Sequence, residues 1–348
     1  MSCQRAGRTL RPAAAQTARR LPGETAMNRR HLLGLAAAGL ALPARAQTAF
    51  PDRPIRFIVP FPPGGGTDTW ARIAAEGMQP ELGQTIVIEN RGGAGGLVGT
   101  EAAAKAPPDG YTLLFTITTH VQTPVVMRRF PYDPVADFAP IGRLGTTSIS
   151  FCVGPKVPPE IRTWPEFAAW AKGRDLSLGS YAPGSTGHAF ALLVAEEARL
   201  TMEHVSYRGE TPMLQDMLAG QIHGGFHSMA AAGEMLRAGR LRALMTAGER
   251  RIPALGEVPL MKEVGFSDRF SFSGFSGLLA PARTPAAVLD RLTEAFRIAA
   301  AKPETHRRLL AVDTVPSYQD PATFRAQVAR NLREWTEIAE RLNLTVDG

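Results

Sequence analysis

Cysteine is nearly absent from this chain, with only two in 348 residues. Cys3 falls in an N-terminal leader, so Cys152 has no partner beyond it and no internal disulfide is expected. Cys152 lies in an apolar run at residues 150–153, where a thiol is more often a buried side chain than a nucleophile. The chain beyond the leader, about 300 residues, must therefore be stabilised by hydrophobic cores, and its length suggests two domains.

An excess of one charge is also missing once the N-terminus is set aside. Of the 39 basic and 32 acidic residues, eight arginines and Glu24 lie within residues 1–46, which leaves 31 of each sign. A chain with balanced charge lacks the basic surface that binds nucleic acid or an anionic membrane. We therefore expect no nucleic-acid partner and no direct membrane insertion.

The sequence shows no apolar run of membrane-spanning length. Residues 32–42 are eleven apolar or small residues, whereas a helix needs about 20 to cross a hydrocarbon core. This run follows Arg29-Arg30 and precedes Ala44-Arg-Ala46, which is the pattern of a secretory signal with an A-x-A cleavage site. We expect export to the periplasm with cleavage after Ala46. The arginine pair is also typical of twin-arginine signals, so the export route stays open.

Signature motifs of common enzymes are missing as well. The sequence has no G-x-S-x-G, G-x-x-x-x-G-K-[ST], H-E-x-x-H or C-x-x-C. The glycines from Gly93 to Gly99 resemble a dinucleotide fingerprint, but the last comes one residue late. His223 and His227 are predicted on a strand, where residues i and i+4 lie about 13 Å apart, too far to share a zinc ion. We expect no cofactor, no metal and no catalytic residues.

What the sequence does contain is an alternation of short apolar runs and helical patterns, which predicts parallel α/β structure. Two strand–loop–helix units stand out: Pro60-Phe-Pro-Pro-Gly-Gly-Gly-Thr-Asp68 and Tyr181-Ala-Pro-Gly-Ser-Thr-Gly187. Glycine lets the backbone approach a ligand closely, and the first N–H groups of the following helix attract anions. We expect Thr67 or Asp68 to cap the first of these helices.

The two loops predict a ligand site between two halves of the molecule. Ligands of open α/β sheets bind beyond the carboxyl ends of the strands, so two facing halves would trap a small molecule. Several side chains near the second loop have two interpretations. His188 could donate to an anion or cap its own helix; Arg208 could bind a carboxylate or stay solvated; Tyr181 and Tyr207 could line the cleft or pack in a core.

Seven segments in order resemble the Bug family of extracytoplasmic solute receptors, the binding proteins of tripartite tricarboxylate transporters. The similarity extends from about residue 50 to the C-terminus. The segments are Pro60-Phe-Pro-Pro-Gly-Gly-Gly-Thr-Asp68, Asn90-Arg-Gly-Gly-Ala-Gly-Gly96, Pro108-Asp-Gly-Tyr-Thr-Leu-Leu114, Tyr132-Asp-Pro-Val-Ala-Asp-Phe-Ala-Pro140, Val205-Ser-Tyr-Arg-Gly209, Gln215-Asp-Met-Leu-Ala-Gly-Gln221 and Leu278-Leu-Ala-Pro281.

The resemblance implies the α/β fold of type II periplasmic binding proteins, with two doubly wound lobes joined by two crossover strands. After a leader at 1–46, in which Met27 is a possible true start, lobe 1 would comprise 47–150 and 275–348, and lobe 2 would comprise 151–274. The implied function is capture of a small mono- or dicarboxylate and its delivery to the large and small membrane subunits of a tripartite tricarboxylate transporter. A monomer is the default expectation.

The residues that the resemblance implies for ligand binding belong to two opposed loops and the strand ends beside them. They are Phe61, Pro63, Gly64, Gly65, Thr67, Asp68, Thr118, Thr119, Ser180, Gly184, Ser185, Thr186, His188, Tyr207, Arg208, Gly209 and His227. Three positions depart from the family pattern: Ser206 replaces proline, Arg208 replaces lysine and His227 replaces an acidic residue. The last departure predicts a less negative cleft.

Two other functions remain open from the sequence. The first is an exported hydrolase-type enzyme that acts on a small carboxylate or phosphate ester, with His188 or His227 as acid or base. The second is a ligand sensor for a membrane kinase, which would leave the cleft unchanged.

Overall fold

The structure, a computed structural model, describes residues 50–127, 130–272 and 274–344. The expected leader and its cleavage site lie outside these residues. The strands are β1 (Ile55–Val59), β2 (Ile86–Asn90), β3 (Thr112–Ile117), β4 (Phe138–Thr147), β5 (Ile149–Val153), β6 (Leu176–Ser180), β7 (Met202–Ser206), β8 (Gly224–Ser228), β9 (Arg242–Thr246), β10 (Gly274–Pro281) and β11 (Val315–Gln319).

Helices separate most of these strands. They are α1 (Gly66–Leu82), α2 (Leu97–Ala104), α3 (Thr119–Val126), α4 (Trp164–Ala171), α5 (Thr186–Ala198), α6 (Glu210–Leu218), α7 (Met229–Arg237), α8 (Ala286–Ala301), α9 (Pro303–Ala311) and α10 (Pro321–Arg341). None of the helices in the described part of the chain has the length and apolarity needed to cross a membrane.

The strands form two separate sheets. One has the order β11-β4-β10-β3-β1-β2 and the other the order β7-β6-β8-β5-β9. In each sheet a parallel trio (β1, β2 and β3; β6, β7 and β8) is extended by antiparallel strands. Only Ser148 separates β4 of the first sheet from β5 of the second, and the chain returns to the first sheet at β10. These two crossings confirm the predicted two-lobed fold.

Both sheets are covered by helices on both faces, as a doubly wound sheet requires. One face of the first sheet packs Phe57 and Phe115 against Trp70 of α1 and Phe296 of α8. Its other face packs against α10. The second sheet has a core of aromatic side chains on one face and, on the other, a smaller core that includes Cys152. Burial raises the pKa of the Cys152 thiol, so the predicted buried and unreactive cysteine is confirmed.

Three elements keep their regular structure despite an internal proline. They are α3 with Pro124, β4 with Pro140 and β11 with Pro316. Proline removes a backbone donor and usually ends helices and sheet ladders. Here β4 lies between β10 and β11, and α3 packs against α10, so tertiary packing overrides the local signal.

Candidate ligand-binding cleft

A cavity lies between the two sheets, beyond the carboxyl ends of β1, β3, β6 and β8. It contains about 620 Å³ of space outside protein atoms, including the part open to solvent. Its lining comes from both loops named in the sequence and from both chain crossings. The lining residues are Phe61, Pro62, Gly65, Gly66, Thr67, Trp70, Ile117, Thr118, Thr119, Thr147, Ile149, Tyr181, Thr186, Glu210, Ser228, Phe272 and Gly274.

The loop after β1 brings the glycine backbone at Gly65 and Gly66 to this cleft. Helix α1 begins at Gly66, with Gly65 at the N-cap position and no side-chain cap. The expected cap by Thr67 or Asp68 is therefore wrong, because the helix starts before both of them. Without a side-chain cap, the first-turn N–H groups need partners from elsewhere. The Gly66 N–H donates to the Glu210 carboxylate, 3.1 Å away, from the other half of the chain.

Asp68 holds the loop after β1 in place through its hydrogen bonds. Its carboxylate accepts hydrogen bonds from the Gly64 N–H (3.1 Å), the Asn90 amide (3.0 Å) and the Arg72 guanidinium (2.9 Å). Burial would raise the pKa of Asp68, but these hydrogen bonds outweigh it and hold the pKa below its usual value. The side chain is buried and does not line the cleft. Asp68 therefore fixes the loop conformation.

Gly66 lies at a point of close approach. A Cβ built there would lie 2.7 Å from the Ser228 hydroxyl, 2.9 Å from a Glu210 carboxylate oxygen and 2.9 Å from the Trp70 ring. Two of these neighbours belong to the second sheet's half of the chain. Glycine at this position lets the start of α1 touch the opposite wall.

The loop after β6 satisfies more of its own hydrogen bonds. The Ser185 hydroxyl caps α5 by accepting from the His188 N–H at 3.3 Å, and His188 Nδ1 accepts from the Gly184 N–H at 3.1 Å. The His188 ring stacks on His204, with 3.6 Å between ring centroids, and Ser180 Oγ lies 2.7 Å from His204 Nε2. Burial lowers the pKa of His188 to about 3 and that of His204 to about 4, so both are neutral near pH 7.

Two contacts join this second loop to the first half of the chain. Thr186, which lines the cleft, accepts a hydrogen bond from the Gln122 amide at 2.8 Å. Gly184 has φ +69°, and a Cβ there would lie 2.5 Å from a methyl of Val126. The two walls of the cleft are therefore in direct contact beside both loops.

The predicted site residues divide between lining and support. Phe61, Gly65, Thr67, Thr118, Thr119 and Thr186 line the cleft. Pro63 and Gly64 lie exposed at its rim, where the Pro63 carbonyl accepts from the Thr211 hydroxyl at 3.0 Å. The supporting residues behind the lining are Asp68, Ser180, Gly184, Ser185, His188 and Gly209.

Tyr207, Arg208 and His227 lie away from the cleft. The Tyr207 hydroxyl donates to Asp216, and the exposed Arg208 lines a separate groove beside the glycines at 92–95. His227 is buried in the second half, and neither ring nitrogen has a hydrogen-bond partner among the described residues. Burial lowers the pKa of His227 to about 3. The charge of the cleft is therefore not set by His227, contrary to the sequence-based expectation.

Glu210 is the cleft residue that sequence reasoning missed. It is the first residue of α6, and an acidic side chain there is normally explained by the helix dipole. Instead, its carboxylate reaches Gly66 across the cleft. The rings of Trp70, Tyr181 and Phe272 also line the cavity. Of these three rings, the sequence indicates only Tyr181 as a possible wall of the cleft.

Metal-ligating groups do not gather at the cleft or elsewhere in the described ranges, where no set of three His, Cys, Asp or Glu side chains could hold a metal ion.

The two sheets, the two crossings and the cleft between them define the class: a periplasmic binding protein. The model of the tripartite tricarboxylate transporter family receptors matches residues 70–344, and the chain belongs to this family. Family members are solute-binding receptors rather than enzymes.

Relatives and solved structures agree with this assignment. A Pseudomonas protein described as "UPF0065 protein in tcbD-tcbE intergenic region" is 37% identical over 79% of this chain and 83% of its own length. BugT of Bordetella pertussis is 31% identical over 87% of this chain and 93% of its own length.

The structure of the periplasmic binding protein BugD superposes with a TM-score of 0.81 at 29% identity, covering 85% of this chain and 99% of that one. Rpa4515 of R. palustris, solved with adipate, superposes with a TM-score of 0.81 at 27% identity, covering 85% of this chain and 99% of that one. MatC of Rhodopseudomonas palustris, solved with malate, superposes with a TM-score of 0.76 at 29% identity, covering 83% of this chain and 99% of that one.

Proposed function

We propose that this protein is an exported receptor that captures one small carboxylate between its two lobes and delivers it to the membrane subunits of a tripartite tricarboxylate transporter. The observation that carries the proposal is the composition of the cleft wall. Thr118 from the first half of the chain and Thr186 from the second bring hydroxyl groups to one cavity. Hydroxyl groups can donate hydrogen bonds to a carboxylate.

The family and the ligands of two relatives support a carboxylate as the solute. Rpa4515 was solved with adipate and MatC with malate, and both share the fold of this chain. A ligand that touches both walls favours the closed arrangement of the lobes, since it gains contacts only there. Such closure is all that a receptor of this kind requires.

We place the lobe boundaries near the two crossings, with 47–150 and 275–348 in lobe 1 and 151–274 in lobe 2. The backbone around Ser148 and at the start of β10 would then act as the hinge. We further propose a leader at 1–46, cleaved after Ala46, and a monomeric mature protein.

The hydrolase alternative receives no support from the positions of the two candidate histidines. His188 accepts a hydrogen bond from its own loop, and His227 is buried away from the cleft. A histidine that acts as acid or base must reach the substrate directly or through one water. We therefore infer that the protein does not act as an enzyme.

A ligand screen by thermal unfolding tests the proposal. The protein is first unfolded and refolded to remove any carried-over ligand, then titrated with mono-, di- and aromatic carboxylates. A ligand at 1,000 times its Kd stabilises the folded state by about 4.1 kcal/mol, which raises Tm measurably. No shift with any carboxylate would reject the proposed function, and turnover of a carboxylate ester would favour the enzyme.

A further inference from the structure

The most informative side chain in the cleft is Glu210, because its carboxylate connects the two halves of the chain. One oxygen accepts from the Ser228 N–H at 2.7 Å. The other accepts from the Gly66 N–H at 3.1 Å and from the Ser228 hydroxyl at 2.9 Å. Ser228 ends β8 in the second sheet, whereas Gly66 begins α1 beside the first.

Glu210 thus occupies the place that the start of α1 offers to an anion. The N-terminus of a helix attracts negative charge through its N–H groups and its dipole. Here that attraction is satisfied by a carboxylate of the protein itself. The contact is close, since a Cβ on Gly66 would lie 2.9 Å from the Glu210 oxygen.

The rest of the cleft provides no positive side chain to balance another anion. No lysine, arginine or histidine is among the described residues that line it, and Glu210 is the one carboxylate there. The nearby Arg72 is already paired with Asp68. Burial raises the pKa of Glu210 above its usual value, which reflects how poorly the site solvates negative charge.

The cleft does keep hydrogen-bond donors for one carboxylate away from Glu210. The Thr186 hydroxyl accepts from Gln122, and the Thr118 hydroxyl accepts from the Phe275 N–H at 2.9 Å. Each hydroxyl can donate its own hydrogen to a ligand oxygen. The rings of Phe61 and Trp70 line the same cavity, and they suit an apolar ligand body.

We propose that Glu210 makes the cleft selective for a ligand with a single carboxylate, whose other end is a neutral or cationic hydrogen-bond donor. A second carboxylate would face Glu210 without a compensating cation, so dicarboxylates of the same length bind more weakly. This inference rests on the proposed function, because it concerns the same cleft. It separates this chain from the relatives solved with adipate and malate, which are both dicarboxylates.

Matched ligand pairs test the proposal by isothermal titration of the refolded protein. The pairs are succinate with succinamate, glutarate with glutaramate and adipate with adipamate, each also compared with the ω-amino acid of that length. We expect the best-fitting length to show at least tenfold tighter binding of the amide or amine than of the dicarboxylate. Glu210→Ala should reduce this ratio at least tenfold, whereas Glu234→Ala, an exposed glutamate on α7, should leave it unchanged.

The ratio of two Kd values isolates charge selection from a general loss of affinity. Circular dichroism and Tm establish that each variant is folded, and Glu210→Gln provides a second neutral variant of the same size if the alanine variant is unstable. The inference would be overturned if dicarboxylates bind wild type as tightly as their monoamides and substitution of Glu210 leaves the ratio of Kd values unchanged. The proposed function would then stay intact. If no carboxylate of this panel or of the thermal screen binds wild type or variants, the proposed function fails and the inference fails with it.

Discussion

The loops after β1 and β6 share a sequence design but distribute their hydrogen bonds differently. The first has no side-chain cap at its helix, and its Gly66 N–H is satisfied from the opposite wall by Glu210. The second binds itself, with Ser185 capping α5 and His188 accepting from Gly184. One wall is therefore held by contacts across the cleft, whereas the other is largely preformed.

The largest expected effect on ligand affinity comes from Gly66→Ala, which places a Cβ within 3 Å of Ser228, Glu210 and Trp70. Overpacking of this kind costs about 1–3 kcal/mol, and we assign most of that cost to the closed state, so carboxylate affinity should fall roughly 10- to 100-fold. Isothermal titration with the tightest-binding ligand of the thermal screen measures this loss of affinity.

Gly65→Ala is the matched control for this first prediction. Its φ is −84° and its nearest neighbour would lie 3.6 Å from the new Cβ, an ordinary contact. We expect an affinity within about twofold of wild type, well under 1 kcal/mol. Equal losses at both glycines would contradict the close approach at Gly66.

Gly184→Ala tests the contact beside the second loop. Its φ of +69° strains any other residue, and the new Cβ would meet Val126 at 2.5 Å. The left-handed backbone alone costs about 1–2 kcal/mol, so we expect a lower Tm together with a Kd weakened about tenfold. Gly64→Ala, at φ +80° and with Thr211 Oγ1 3.9 Å from the new Cβ, should lower Tm and leave Kd nearly unchanged. The opposite pattern would mean that Val126 is not a closing contact.

Acid should destabilise the second loop before the first. His188 and His204 have folded pKa values of about 3 and about 4, below the unfolded value of 6.5. The unfolded chain therefore binds protons first, and stability is lost as pH falls from 6.5 towards 4, by up to about 1.4 kcal/mol per pH unit for each histidine. The pKa of Asp68 is lowered from 3.8, so its contribution to folding stability is lost only in stronger acid.

Denaturant unfolding between pH 7 and 4 measures this dependence. His204→Gln should flatten the curve, whereas His306→Gln, at an exposed position on α9, should leave it unchanged. His120 and His227 are also buried with lowered pKa values, so part of the slope should remain. A curve that His204→Gln does not alter would show that the stacked pair plays no part.

The smallest effect is expected from Ser185→Ala, which removes the cap of α5. Loss of a cap typically costs about 1 kcal/mol, or roughly 2–4 °C in Tm for a protein of this size. Kd should stay within about twofold, because the loop is preformed by other bonds as well. Ser206→Ala, at the exposed end of β7, is the control and should change neither quantity. A large loss of affinity at Ser185 would indicate direct ligand contact.

Local patterns in the sequence predicted much of the fold, because the alternation of strands and helices is a local feature. Prolines inside α3, β4 and β11 locally disfavour regular structure, and these elements are stabilised by neighbours that are distant in sequence. In the site, the glycine loops marked the cleft correctly. Glu210 could not be found, because its contact with Gly66 spans 144 positions and depends on how the two halves meet.

Hydrogen–deuterium exchange with and without saturating carboxylate tests most directly whether one ligand contacts both walls. We predict that amides in residues 60–68 and in residues 180–188 become protected together, with the larger change in the first loop, whose donors depend on the opposite wall. Protection confined to one of these segments would contradict a site shared by two lobes.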